Sequence, residues 1–66
     1  MATIYTKEDA DKKFETGEFV LNAGNGKPPM KKYDTMTIKM HTENVGTATF
    51  YNVKGDEIYA DAILIK

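Results

Sequence analysis

The sequence contains no cysteine, and arginine, serine, glutamine and tryptophan are missing as well. Without cysteine there is no disulfide, no thiol nucleophile and no cysteine-based zinc site. Without arginine there is no bidentate donor for phosphate, carboxylate or guanine. Because serine is missing too, a nucleophile would have to be threonine, lysine, tyrosine or a carboxylate. These absences remove the usual catalytic sets, and we predict a non-enzymatic protein with no catalytic residue, cofactor or metal.

Long hydrophobic runs are missing too. No apolar stretch approaches the roughly 18 residues of a membrane helix, and the first residues lack the basic-then-apolar pattern of a signal peptide. We therefore expect a cytoplasmic protein without membrane contact. The nine basic residues, all lysine, balance ten acidic ones to a net charge of −1, which argues against a general polyanion binder. Lysine without arginine fits an AT-rich genome, such as that of a low-GC bacterium or its phage.

The composition that remains is that of one small folded domain spanning residues 1–66. A hydrophobic content of 41% is enough for a core and too high for a disordered tail. A chain of this length buries only about 60% of the surface that its unfolded form exposes. We therefore expect a thin core and marginal stability.

The first third of the chain predicts a strand, a helix and a second strand. Residues 1–5 read as a short strand, and Thr6 is a helix N-cap. Gly17 can take the left-handed conformation that ends a helix, which places the helix at about 7–16. Its apolar stripe is narrow, with Ala10 and Phe14 one turn apart, so the helix must dock through Phe14.

Alternating apolar residues predict four strands after the helix, at about 18–23, 33–42, 47–52 and 57–65. The order β-α-β-β-β-β indicates an α+β fold, a mostly antiparallel twisted sheet of four or five strands with one short helix on one face. The first two strands could form a right-handed parallel unit beside an antiparallel meander of the last three. A small, partly open β-barrel of the SH3 or OB type, with the helix appended, is the alternative.

The last two strands form a hairpin whose loop length is set by parity. Even-numbered apolar residues would point inward on both strands, which requires an odd-numbered loop. The loop 53–55 fits, because a three-residue loop ends in a left-handed residue and Gly55 is in that place. Phe50 would then pair with Ile58 and share one core with Phe14. The last strand would point inward through Ile58, Ala60, Ala62 and Leu64.

The long loop over residues 24–32 is a candidate partner-binding segment. Gly24-Asn25-Gly26-Lys27 fails as a phosphate-binding loop, because the glycine spacing is wrong and a proline follows. Lysines flank a Pro-Pro pair, and a tyrosine follows, which suits a proline-anchored contact with another protein; an ordinary solvated surface loop is the alternative. The candidate residues here are Lys27, Pro28, Pro29, Lys31, Lys32 and Tyr33.

The outer face of the predicted sheet is the second candidate surface. Tyrosines are enriched in interfaces because they bury much area at little entropic cost. The run 62–65 is apolar on both faces, more than one covered sheet face can bury. Either a second subunit covers Ile63 and Ile65, which predicts a homodimer through the last strand, or the N-terminal segment or the long loop folds over them. The candidate residues on this face are Tyr51, Tyr59, Ile63 and Ile65. His41 and Glu43 share a face, but two ligands do not make a zinc site.

Two functions follow from these surfaces. The first is a small accessory or inhibitory protein that binds a protein partner through its sheet face and the 24–32 loop. The alternative is a single-stranded nucleic-acid binder that stacks bases on Tyr51 and Tyr59 and holds the backbone with Lys39, Lys31 and Lys32.

Overall fold

The structure, a computed structural model, describes residues 3–23 and 33–66, which form one helix and one five-stranded sheet. The elements are β1 (Thr3–Thr6), α1 (Lys7–Glu15), β2 (Phe19–Leu21), β3 (Thr35–Met40), β4 (Val45–Tyr51) and β5 (Glu57–Ile65). All neighbouring strands are antiparallel. The predicted α+β fold is confirmed. Within the two described ranges, no helix is long and apolar enough to cross a membrane.

The strands lie in the order β1-β3-β4-β5-β2. The predicted meander of the last three strands is confirmed as β3-β4-β5. The predicted parallel pairing of the first two strands is wrong, because β1 and β2 lie at opposite edges with three strands between them. The helix connects these two edges, and its backbone lies closest to β1, β2 and β3.

The sheet curls strongly around its helix-covered side. Five flat strands would hold β1 and β2 about 19 Å apart, at roughly 4.8 Å per spacing. Yet the ring of Tyr5 on β1 meets the ring of Phe19 on β2, with centroids 5.3 Å apart. The sheet is therefore concave on its inner side and convex on its outer side, part-way towards the barrel alternative, although β1 and β2 share no backbone pairing in the described residues.

The ends of α1 follow from two residues that the sequence singles out. The Thr6 hydroxyl accepts a hydrogen bond from the backbone N–H of Asp9 at 3.3 Å, which satisfies one of the free donors of the first turn. Gly17 follows the helix with φ +82°, a conformation that residues with a Cβ rarely adopt. The predicted helix boundaries are confirmed to within one residue.

Aromatic rings dominate the core between the helix and the concave side of the sheet. Phe14 enters from the helix and lies 5.7 Å from Phe19 and 6.4 Å from Phe50, centroid to centroid. The predicted common core of Phe14 and Phe50 is confirmed. Edge-to-face and offset contacts of this kind stabilise a core beyond the area they bury. The other buried core residues are Ala10, Leu21, Tyr33, Met36, Ile38, Ala48 and Ile63.

A β-bulge at Ile58 sets the facing of β5. The predicted three-residue loop is confirmed, since Asn52 and Asp56 close it by a hydrogen bond and Gly55 has φ +88°. Tyr51 then pairs with Glu57, but the preceding residue of β4, Phe50, pairs with Tyr59. Ile58 is therefore an extra residue in β5, which shifts the rest of the strand by one position.

The bulge overturns the predicted inward set of β5. The expected pairs Phe50–Ile58 and Ala48–Ala60 are wrong, and Ala48 pairs with Asp61. A one-residue shift turns every later side chain to the opposite face. Ile58 does pack against the core, as predicted, but Tyr59, Ile63 and Ile65 also face inward, while Ala60, Ala62 and Leu64 face outward.

The observed register buries larger side chains than the predicted one. Ile63, only 1% exposed, and Ile65 reach the core in place of Ala62 and Leu64. The register also turns the Asp61 carboxylate inward. This carboxylate accepts a hydrogen bond from the backbone N–H of Ala23 at 2.9 Å, which offsets the cost of moving a charge away from water.

Candidate protein-binding surface

The convex outer face of the sheet is the candidate site. Alternation along each strand and the pairing registers assign its residues. Towards the loop 53–55, where β4 ends, the face is mainly threonine and tyrosine, with Thr35, Thr37, Thr49 and Tyr51. Towards the opposite end it becomes aliphatic, with Val20, Val45, Ala62 and Leu64, which we call the apolar strip.

The apolar strip crosses three strands in one continuous row. Leu64 on β5 pairs with Val20 on β2 and with Val45 on β4. Leu64 is 39% exposed and Val45 is 40% exposed. Together with Ala62 they line a shallow depression of about 330 Å³. The small Ala62 side chain, in the row next to these three larger aliphatic ones, leaves room for the depression.

The polar part of the outer face carries little charge. Lys39 lies beside Thr47 on the neighbouring strand, and the imidazole Nε2 of His41 forms a hydrogen bond with the Thr47 hydroxyl at 2.8 Å. Glu57, the first residue of β5, pairs with Tyr51. In the described ranges, no three histidine, aspartate or glutamate side chains are grouped to hold a metal ion.

Tyr33, predicted as a partner contact, is instead a core residue. It is buried, and its ring meets that of Phe50 edge to face at 4.9 Å. Its hydroxyl donates a hydrogen bond to the Asp11 carboxylate on α1. Burial, together with the hydrogen bond to Asp11 and its charge, raises the pKa of Tyr33 well above its ordinary value of 10.

Asp11 joins this tyrosine to the helix. The ammonium of Lys7 donates to the same carboxylate at 3.0 Å and lies 5.5 Å from the centre of the Tyr33 ring. Partial burial raises the pKa of Asp11, but the hydrogen bonds from Tyr33 and Lys7 and the charge of Lys7 outweigh it and leave the pKa below its ordinary 3.8. We interpret this cluster as structural and not catalytic. At neutral pH a phenol with a raised pKa keeps its proton, and an ionised carboxylate has no proton to donate.

Carboxylates hold the chain on both sides of residues 24–32. Asp61 accepts from the N–H of Ala23 before this segment, and Asp11 holds Tyr33 after it. The other predicted loop contacts, Lys27, Pro28, Pro29, Lys31 and Lys32, lie outside the described residues. Ala23 and Tyr33 are therefore each held to the fold by a carboxylate.

The structure divides the sheet-face candidates between the two sides of the sheet. Tyr51 lies half-buried on the outer face, as predicted. The expected outer placement of Tyr59, Ile63 and Ile65 is wrong, because all three lie on the concave side. The Tyr59 ring packs 5.8 Å from that of Phe50. The two tyrosines proposed to stack nucleic-acid bases thus lie on opposite faces.

Sequence reasoning missed the residues of the apolar strip. The available signal was the two-sided apolarity of residues 62–65, which shows that one side of β5 is apolar and exposed but does not tell which side. The exposed side carries Leu64 and Ala62 instead of Ile63 and Ile65. Val20 and Val45 join them only through strand order, which the sequence does not state.

No protein-family model, curated protein or solved structure matches this chain. The candidate function is therefore argued from the surfaces of this chain alone.

Proposed function

We propose that this protein is a non-enzymatic accessory or inhibitory module that binds another protein chain through the outer face of its sheet. The observation that carries the proposal is the apolar strip. Val45 and Leu64 each leave about 40% of their surface in water, and no described element covers them. A contiguous exposed aliphatic patch with a polar surround is typical of protein-binding surfaces.

The polar part of the outer face supports the same proposal. Its threonine hydroxyls and the Tyr51 phenol can form hydrogen bonds around an apolar contact, as the rim of an interface does. The 24–32 loop, anchored at Ala23 and Tyr33, is the second contact surface in this proposal.

Single-stranded nucleic acid remains the competing partner for the same face. Base stacking needs exposed aromatic rings along a basic groove. Within the five strands, the outer face offers one such ring, Tyr51, and one lysine, Lys39. Titration of mixed oligonucleotides should therefore show no micromolar binding at moderate salt. Tight, strongly salt-dependent binding would contradict the protein-binding proposal.

The direct test captures partners from cells that naturally produce the protein. Immobilised wild-type protein and a Leu64→Lys variant are compared, with Val53→Lys as the matched control, since Val53 is 83% exposed on the loop outside the strip. We expect a specific protein to be retained by the wild type and the control and lost with Leu64→Lys. Equal retention by all three proteins would contradict the assignment of the outer face.

A further inference from the structure

The apolar strip and its neighbours are symmetric about strand β5. In one row a leucine lies between two valines, and in the next row an alanine lies between two polar residues. The first row follows from the strand pairs of Leu64. The second row follows from the pairing of Ala62 with Thr47 and from the hydrogen bond that the backbone N–H of Asn22 donates to the Ala62 carbonyl. The two rows are Val20–Leu64–Val45 and Asn22–Ala62–Thr47.

We infer that this strip binds a second copy of the same chain. The two copies are related by a two-fold axis that runs parallel to β5, midway between the two facing sheets. Such an axis places Val20 of one copy over Val45 of the other. It also places the Asn22 amide over the Thr47 hydroxyl, a donor and acceptor pair. Leu64 and Ala62 then face their own counterparts, so both copies use the same surface, as an isologous interface requires.

The two rows themselves carry no charge that would oppose a second copy. None of the six positions in the two rows carries a charged side chain. The strip therefore offers nothing to an oppositely charged partner. Two copies with a net charge of −1 each repel one another only weakly.

The geometry of the sheet limits the size of this contact. Three strands and the two rows span about 15 Å by 14 Å, or roughly 200 Å² per copy, from ordinary strand spacings. The convex curvature turns β1 and β3 away from a second sheet placed over β5. A total of roughly 400 Å² lies well below the roughly 1,200 Å² of stable interfaces. The dimer is therefore weak and depends on concentration.

This inference rests on the proposed function, since it names a partner for the same face, and the two can fail separately. Sedimentation of the purified chain from about 10 µM to 1 mM brackets affinities in the micromolar to millimolar class. We expect the mass to rise above 7.4 kDa with concentration and to stay at the monomer value for Leu64→Lys, while Val53→Lys associates like the wild type. A monomeric wild type would overturn the dimer, whereas the capture experiment would still decide the protein-binding proposal.

The cysteine-free sequence allows a test of the axis itself. Facing sheets pack about 10 Å apart, too far for a direct disulfide, so the probe is a short bis-maleimide linker. Leu64→Cys should be linked into dimers much faster than Val53→Cys. Val20→Cys and Val45→Cys should be linked poorly alone and efficiently when mixed. Equal linking of Leu64→Cys and Val53→Cys, or no gain on mixing, would overturn the proposed axis.

Discussion

Tyr59 lies opposite Phe50 across the β4–β5 ladder, with ring centroids 5.8 Å apart. The neighbouring pair is Tyr51–Glu57, so the register changes by one residue between the two pairs. This offset comes from the bulge at Ile58. It brings the larger side chains of β5 into the core and leaves Leu64 and Ala62 on the convex side of the sheet. The candidate binding surface is thus a consequence of one inserted residue near the start of β5.

The docking of the helix depends on one side chain. Phe14 is 6% exposed and contacts both Phe19 and Phe50. Phe14→Ala should lower the free energy of unfolding by about 3–5 kcal/mol, because it removes a buried ring and leaves a cavity. Urea or thermal unfolding measures the change, with the exposed Lys12→Ala as control. An unchanged midpoint for Phe14→Ala would show that the helix is not docked in this way.

The hydrogen bond between Tyr33 and Asp11 predicts a dependence of stability on pH. Tyr33→Phe should cost about 1 kcal/mol near neutral pH, since Asp11 is partly exposed and water can replace the lost donor. The pKa of Tyr33 is raised above 10 in the folded protein. Its stabilisation is therefore fully present below pH 10 and is lost as the pH rises further.

Unfolding of both proteins between pH 8 and about pH 11 checks this sign. The difference in stability between the wild type and Tyr33→Phe should shrink towards the alkaline end. Burial and the neighbouring Asp61 also raise the pKa of Tyr59, but this tyrosine is present in both proteins and cancels in the comparison. A difference that stays constant over the range would contradict the role assigned to Tyr33.

Gly46 is required for space. A Cβ at this position would lie 2.6 Å from the carbonyl oxygen of Lys39 and 3.1 Å from the Met40 sulfur. Gly46→Ala should therefore destabilise the protein by about 1–3 kcal/mol, since backbone atoms of β3 must move. Thr49→Ala, on the outer face of the same strand, is the matched control in thermal unfolding. Equal midpoints for the two variants would mean that β3 yields at little cost.

Much of the fold could be predicted because local chemistry and tertiary structure agree. Thr6 and Gly17 bound the helix, Gly55 ends the three-residue loop, and Phe14 and Phe50 share the core, each as its sequence context requires. The facing of β5 could not be predicted, because either register places apolar residues inward and no glycine or proline marks the bulge at Ile58.

The candidate site was predicted only as a region. An exposed apolar surface on β5 follows from the composition of residues 62–65, but its members depend on the register. Tyr33 has the position of a loop residue in the sequence, and only the packing of α1 places Asp11 within reach of its hydroxyl. The neighbours Val20 and Val45 depend on strand order, in which β2 crosses to the far edge beside β5.

The most direct test of the account is the reactivity of two adjacent cysteines introduced into this cysteine-free chain. Ile63→Cys and Leu64→Cys are each treated with a thiol reagent in the folded state, at a concentration low enough to keep the protein monomeric, and again after unfolding. Leu64→Cys should react nearly as fast folded as unfolded, and Ile63→Cys should be protected until the protein unfolds. Fast labelling of folded Ile63→Cys with protection of Leu64→Cys would contradict the bulge and the binding face built on it.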